Sequence, residues 1–207
     1  MRKMRITAAA AMALLAGTVA MAQDNGALAR LEAGIETAYA QMERMTCGYD
    51  LTRKVGLLAD AAQEKGELTY CRKSRTLVLA SRTSAGDSTI MTPMGITNVS
   101  GGRRNTQDAL RNTALRQMLD LVMACFSGDF GGVRAAGRLE ATDMGGTTEV
   151  TFVPTDRRTL RHITSIALSF GNDDYGLRRL TVVQKGGDFM TYNFGKKKVE
   201  RRAPGRK

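Results

Sequence analysis

The chain has 207 residues, with 31 Lys and Arg against 20 Asp and Glu and a net charge of +11. Loss of Arg2, Lys3 and Arg5 with the first 22 residues leaves +8, and +6 of that lies in residues 196–207, so the body between is near balance. That excludes a nucleic-acid groove, which carries its basic charge on the fold itself.

The chain opens with MRKMR, an apolar run over residues 6–20, and Ala20-Met21-Ala22. A basic start, a short apolar core and an A-x-A site describe a secretory signal peptide over residues 1–22, too short for a stable membrane span. Thr18 follows Leu15-Ala16-Gly17, where a lipoprotein signal would carry cysteine. The expected product is a periplasmic chain without an acyl anchor. It has one domain over residues 23–195 and a flexible basic tail over 196–207.

After Asp24-Asn25, the residues Leu28, Leu31, Ile35, Tyr39, Met42 and Met45 recur at three- and four-residue steps. This predicts an amphipathic helix of about twenty residues. From Thr46 the period becomes two, through Tyr49, Leu51, Arg53 and Val55, then Leu68, Tyr70 and Arg72, then Leu77 and Leu79. Alternation of this kind places one set of side chains on a single sheet face. Ile90, Ile96 and Val99 mark shorter strands around Pro93-Met94-Gly95.

A second helix is predicted over about residues 106–126, with Leu115, Met118, Leu119, Val122, Cys125 and Phe126 as its apolar stripe and Ser127-Gly128 as its end. Strands are expected to resume near Val133. Val150 and Phe152 lead to Pro154, and a meander follows: Ile166, Leu168, Phe170; then Leu180, Val182; then Met190, Tyr192, Phe194. The turns at residues 171–176 and 185–188 are rich in Gly, Asn and Asp, as tight hairpins require. Helix, strands, helix, strands without a βαβ rhythm is an antiparallel α+β fold. The two helices either complete its core or roof a cavity over the greasy face of the sheet.

Little in the chain points to catalysis, and no enzyme activity or cofactor is expected. There is no G-x-S-x-G elbow and no phosphate-binding glycine loop, and the single His162 lies in a strand-like segment. Cys47, Cys71 and Cys125 fit no zinc spacing, so no metal site is expected. Cys125 reads as a small buried hydrophobe. If the first hairpin turns near residues 59–60, Cys47 and Cys71 fall opposite one another within disulfide reach. Asp173-Asp174 reads as part of a turn rather than a calcium site.

The segment MERMTCGYDLTRK…GELTYCRKSRTLVL resembles the start of the periplasmic outer-membrane lipoprotein carrier family, LolA-type, and TEVTFVPTDRRTLRHITSIALSFGNDDYGLRRLTVVQKGGDFMTYNF resembles it more closely. The resemblance covers most of residues 25–195. It implies a curved, unclosed antiparallel sheet, a half-barrel with the helices as a lid over an apolar cavity. Acyl chains of a lipoprotein would lie there against Leu77, Leu79, Leu115, Met118, Leu119, Val122, Ile166, Leu168, Phe170, Leu180, Val182, Met190 and Tyr192. It further implies that Arg72 holds the lid helix through its carbonyls. The implied partners are acylated lipoproteins, an inner-membrane lipoprotein-releasing transporter and an outer-membrane acceptor, served by a monomer. In a chain without Trp, Met118 and Met190 supply the flexible lining that variable chains need.

Overall fold

The computed structural model describes residues 25–56 and 61–202. The expected signal peptide, the first hairpin turn and the end of the basic tail lie outside the described residues.

An N-terminal helix, α1 (Asn25–Tyr39), is followed by six strands: β1 (Met42–Lys54), β2 (Ala62–Cys71), β3 (Thr76–Ser81), β4 (Ser88–Thr92), β5 (Gly95–Ser100) and β6 (Arg103–Asp108). A 3-10 turn (Ala109–Arg111) then leads into α2 (Thr113–Ser127) and the short α3 (Gly131–Ala136). The second set of strands is β7 (Gly137–Asp143), β8 (Thr147–Pro154), β9 (Ile163–Gly171), β10 (Leu177–Gln184), β11 (Phe189–Phe194) and β12 (Lys198–Arg201), with another 3-10 turn (Thr159–Arg161) before β9. The described strands form one antiparallel sheet in the order β6-β5-β4-β3-β2-β1-β11-β10-β9-β8-β7, with β12 paired beside β1. It is an unclosed half-barrel, because β6 and β7 at the two ends do not pair.

Strand β1 joins the two halves. It is long enough to pair with β2 along one side and with two strands on the other: Tyr49–Lys54 against β11 and Met42–Thr46 against β12. That explains why part of the basic tail is ordered strand rather than flexible chain. The first half of β1 would otherwise present unpaired N–H and C=O groups in mid-sheet, and Lys198–Arg201 pair with them. Val199 packs against the core from this position.

The other departures have similarly local causes. The helix expected to reach Met45 stops at Tyr39. The register shifts between Met42 and Arg44, so a bulge puts both Met42 and Met45 on the buried face and imitates helical spacing. Residues expected to begin the second helix belong instead to β6, every residue of which is exposed. The Asp108 side chain caps the 3-10 turn at Leu110 N (2.7 Å), and Asn112 caps α2 at Leu115 N (3.1 Å). Around Val133 a short helix precedes the strand, with Phe130 and Val133 buried in the core. The expected end of α2 holds: Gly128 adopts φ 79°, and its N–H closes the helix on Ala124 O.

Candidate functional site

The inner face of the half-barrel is built from the alternation of its strands. Leu51, Tyr192, Leu180, Leu168, Val150 and Ala141 lie side by side across six neighbouring strands. One rung below, Met190, Val182, Ile166, Phe152 and Leu139 repeat the row, beginning from Arg53. On the other half, Met45, Tyr70, Leu77, Met91 and Ile96 form a rung that ends in Gln107. Ile90 therefore faces outward and Met91 inward.

The helices cover this face unevenly. α1 packs on β7 and β8, burying Leu28, Leu31 and Ile35. The C-terminal half of α2 is buried almost all round, with Leu121, Met123, Cys125 and Phe126 in the main core. There Phe126 stacks on Tyr70, centroids 4.5 Å apart. Its N-terminal half is held differently. Leu115 and Leu119 form a small separate cluster with Ile96 and Ala109, and Met91 and Met118 lie half-buried against it.

Thus Leu77, Leu79, Ile166, Leu168, Phe170, Leu180 and Val182 all lie in the main core, with Met118, Val122, Met190 and Tyr192 packed half-buried against it. Leu115 and Leu119 pack on Ile96 of β5 and on Ala109. Helical periodicity shows which residues share a stripe, not which strand lies opposite. Ile163, Tyr49, Phe194 and Met91, none of them among the expected cavity-lining residues, also join the half-buried or buried inner surface. The alternation that identified their neighbours also marks Tyr49 and Phe194.

Two clefts open onto this surface. One of about 420 Å³ lies at the N-terminus of α2, floored by Leu115, Met118 and Ile163 and rimmed by Arg111, Arg158 and His162. Another of about 310 Å³ lies over Tyr49, Leu51, Leu79 and Tyr192, with Arg53 and Glu64 at its edge. Tyr49 meets Tyr192 edge-on at 5.7 Å, and its hydroxyl donates to Glu64 Oε1 (3.3 Å). Burial, with Glu64 beside it, raises the Tyr49 phenol far above its ordinary range, so it stays neutral.

Arg72 sits at a helix end, but of α1 rather than α2: its guanidinium donates to the Tyr39 carbonyl, the last of that helix. The bond serves one of the carbonyls that a helix terminus leaves without an internal partner. Cys47 and Cys71 do not meet. The first hairpin pairs Cys47 with Leu68 and Arg44 with Cys71, so Cys47 turns inward, Cys71 outward, and all three cysteines are free. A register displaced by three residues from the expected one also moves the two thiols to opposite faces. Burial pushes the Cys125 thiol up, and its S–H donates to Leu121 O (3.2 Å), an inert core position.

His162 is exposed beyond the second 3-10 turn. Asp173 and Asp174 are turn residues held by Arg178 at 2.7 and 3.0 Å. Among the described residues no cluster of three His, Cys, Asp or Glu side chains is placed to hold a metal, and no helix is long and apolar enough to cross a membrane. Lys197, just before β12, is unusual: its side chain is only 4% exposed, with Asp174 at 3.9 Å and no hydrogen-bond acceptor for its Nζ. Burial lowers its pKa, while Asp174 opposes that shift.

No protein-family model matches the chain, and no curated protein matches it. Several solved structures resemble it distantly over most of its length. A LolA superfamily protein from Nitrosomonas europaea is 7% identical with a TM-score of 0.44, covering 86% of this chain and 94% of that one. Lipoprotein LppX from Mycobacterium tuberculosis is 12% identical with a TM-score of 0.44, covering 84% and 95%. The MucA/MucB complex from Pseudomonas aeruginosa gives 12% identity and a TM-score of 0.46, covering 86% of this chain and 58% of that one. At these identities and TM-scores the likenesses assign no family, ligand, partner or residue role to this chain.

Proposed function

We propose that this protein is an exported, non-enzymatic carrier that shields the acyl chains of a lipoprotein on the inner face of its half-barrel, with the N-terminal half of α2 as the lid. The observation that carries the reading is the division of the core. The lid half of α2 is closed by three large side chains, Ile96, Leu115 and Leu119, that form a small cluster joined to the core at its other end through the half-buried Met91 and Met118. Their burial contributes roughly 5–9 kcal/mol before chain entropy. A long acyl chain costs on the order of 10 kcal/mol to expose to water. Exchanging one apolar surface for the other is therefore near balance, which lets a carrier both accept and release its cargo. The half-buried Met91, Met118, Ile163, Met190 and Tyr192 supply the surface next to the opening. Cargo would be received from an inner-membrane lipoprotein-releasing transporter and passed to an outer-membrane acceptor, in keeping with the sequence resemblance.

A second reading, a scaffold or lipid-sensing module on the same fold, is favoured by the complete burial of Leu168 and Phe170 in the closed state. Mass spectrometry of the protein recovered from the periplasm separates the two. Co-purifying acylated proteins support the carrier; a partner without acyl groups, bound with α2 closed, supports the scaffold.

A further inference from the structure

We propose that the rim of the cleft at the N-terminus of α2 is a docking surface for an anionic lipid bilayer. Two 3-10 turns flank this cleft. Arg111 closes the first, and Arg158 and His162 bracket the second. Each turn carries an exposed leucine, Leu110 at 66% and Leu160 at 37% exposure, and Met94, 59% exposed, adjoins the first turn through its carbonyl, which accepts from Ala109 N (2.9 Å). Exposed large apolar side chains are few on the described surface, and three of them gather here.

The surrounding charge is cationic. Arg157, Arg158 and Arg161 are exposed on the second turn, and Lys185 adjoins it, its N–H donating to His162 O (3.1 Å). Two acids lie among these cations, Asp108, bonded to Leu110 N and paired with Arg111, and Asp156, bonded to the N–H and hydroxyl of Thr159, and the cations outnumber them. Leucines projecting among arginines match a bilayer surface, where the apolar side chains enter the headgroup boundary and the cations meet phosphates. The Thr159 hydroxyl oxygen also lies 3.0 Å from the Gln117 side-chain amide in α2, whose N–H₂ can donate to it while its own proton goes to Asp156, so the turn that would touch lipid is linked to the lid. The proposal adds a membrane partner to the carrier reading but stands on other residues.

The chain contains no Trp, so a single introduced one reports alone. In the processed protein purified after export, Leu160→Trp and Leu110→Trp should shift emission to shorter wavelength with vesicles containing phosphatidylglycerol, and not with phosphatidylcholine alone. Met144→Trp should not shift, because the length of β8, about 26 Å, separates that turn from Leu160. Replacing Arg157 and Arg161, which do not line the cleft, with Gln should weaken vesicle binding about thirtyfold while the basic C-terminal residues remain. The same double variant should bind an apolar fluorophore as the wild type does, so loss of docking is distinguishable from loss of acyl binding. Unchanged vesicle affinity in the double variant, or an equal shift at Met144→Trp, overturns the proposal. Binding to polyglutamate without binding to vesicles overturns it as well, by making this a surface for acidic protein.

Discussion

Leu119 and Leu121 are two residues apart on α2, both buried, yet they belong to different clusters: Leu119 with Ile96, Ala109 and Leu115, Leu121 with the main core. Truncating either to Ala removes about 2–5 kcal/mol of packing. For Leu121→Ala the whole loss falls on the folded protein, and the denaturant midpoint drops accordingly. For Leu119→Ala the loss falls on the closed position of the lid half, so its opening equilibrium rises about 30-fold to several thousandfold. Once the open state predominates, any remaining loss no longer registers in global unfolding, and the midpoint should fall less than for Leu121→Ala. Native-state hydrogen exchange reads the difference directly: in Leu119→Ala, protection should fall at Leu115–Leu119 and persist at Met123–Phe126, and apolar fluorophore binding should rise. Equal midpoint shifts, uniform exchange along α2 and unchanged fluorophore binding would show that α2 is one piece of ordinary core.

Arg72→Met should cost about 1–2 kcal/mol and speed exchange in the last turn of α1, while α2 keeps its protection, because the guanidinium serves Tyr39 O. Lys197→Met should raise stability near neutral pH by on the order of 1 kcal/mol by removing a buried ammonium. Because the folded pKa of Lys197 is depressed, the unfolded chain binds more protons between that value and 10.5. Wild-type stability should therefore gain on Lys197→Met as pH rises through that window, measured in a Cys47→Ser background so that the neighbouring thiol does not titrate. Gly128→Ala should cost about 1–2 kcal/mol from its left-handed backbone alone. Its Cβ would also lie 2.7 Å from Glu32 O, so calorimetry should show a larger loss if α1 cannot move away.

Much of the inner face was legible because a strand's period of two is read directly from the residues: Leu180, Val182, Ile166 and Leu168 alternate with Thr181 and Ala167 and face the core. What escaped reading depends on partners distant in sequence. β12 is a polar segment whose pairing exists only because β1 is longer than β11. β6 has the sequence RRNTQD, all exposed, with no alternation to detect. The bulge at Met42–Arg44 made a strand resemble a helix. The division of α2 between two clusters was also hidden, since Leu115, Leu119 and Val122 form one stripe in sequence while the curved sheet beneath brings different strands to its two ends.

The central claim is that an acyl chain enters beneath the N-terminal half of α2 and lies on the half-buried inner surface. A fatty acid bearing a photoreactive diazirine along its chain, irradiated with the processed protein and followed by peptide mapping, tests this most directly. The account predicts covalent labels at Met91, Met118, Ile163, Met190 and Tyr192, increased by Leu119→Ala. Labels confined to the outer face, at residues such as Ile90 and Val78, or labelling unaffected by Leu119→Ala, would contradict it.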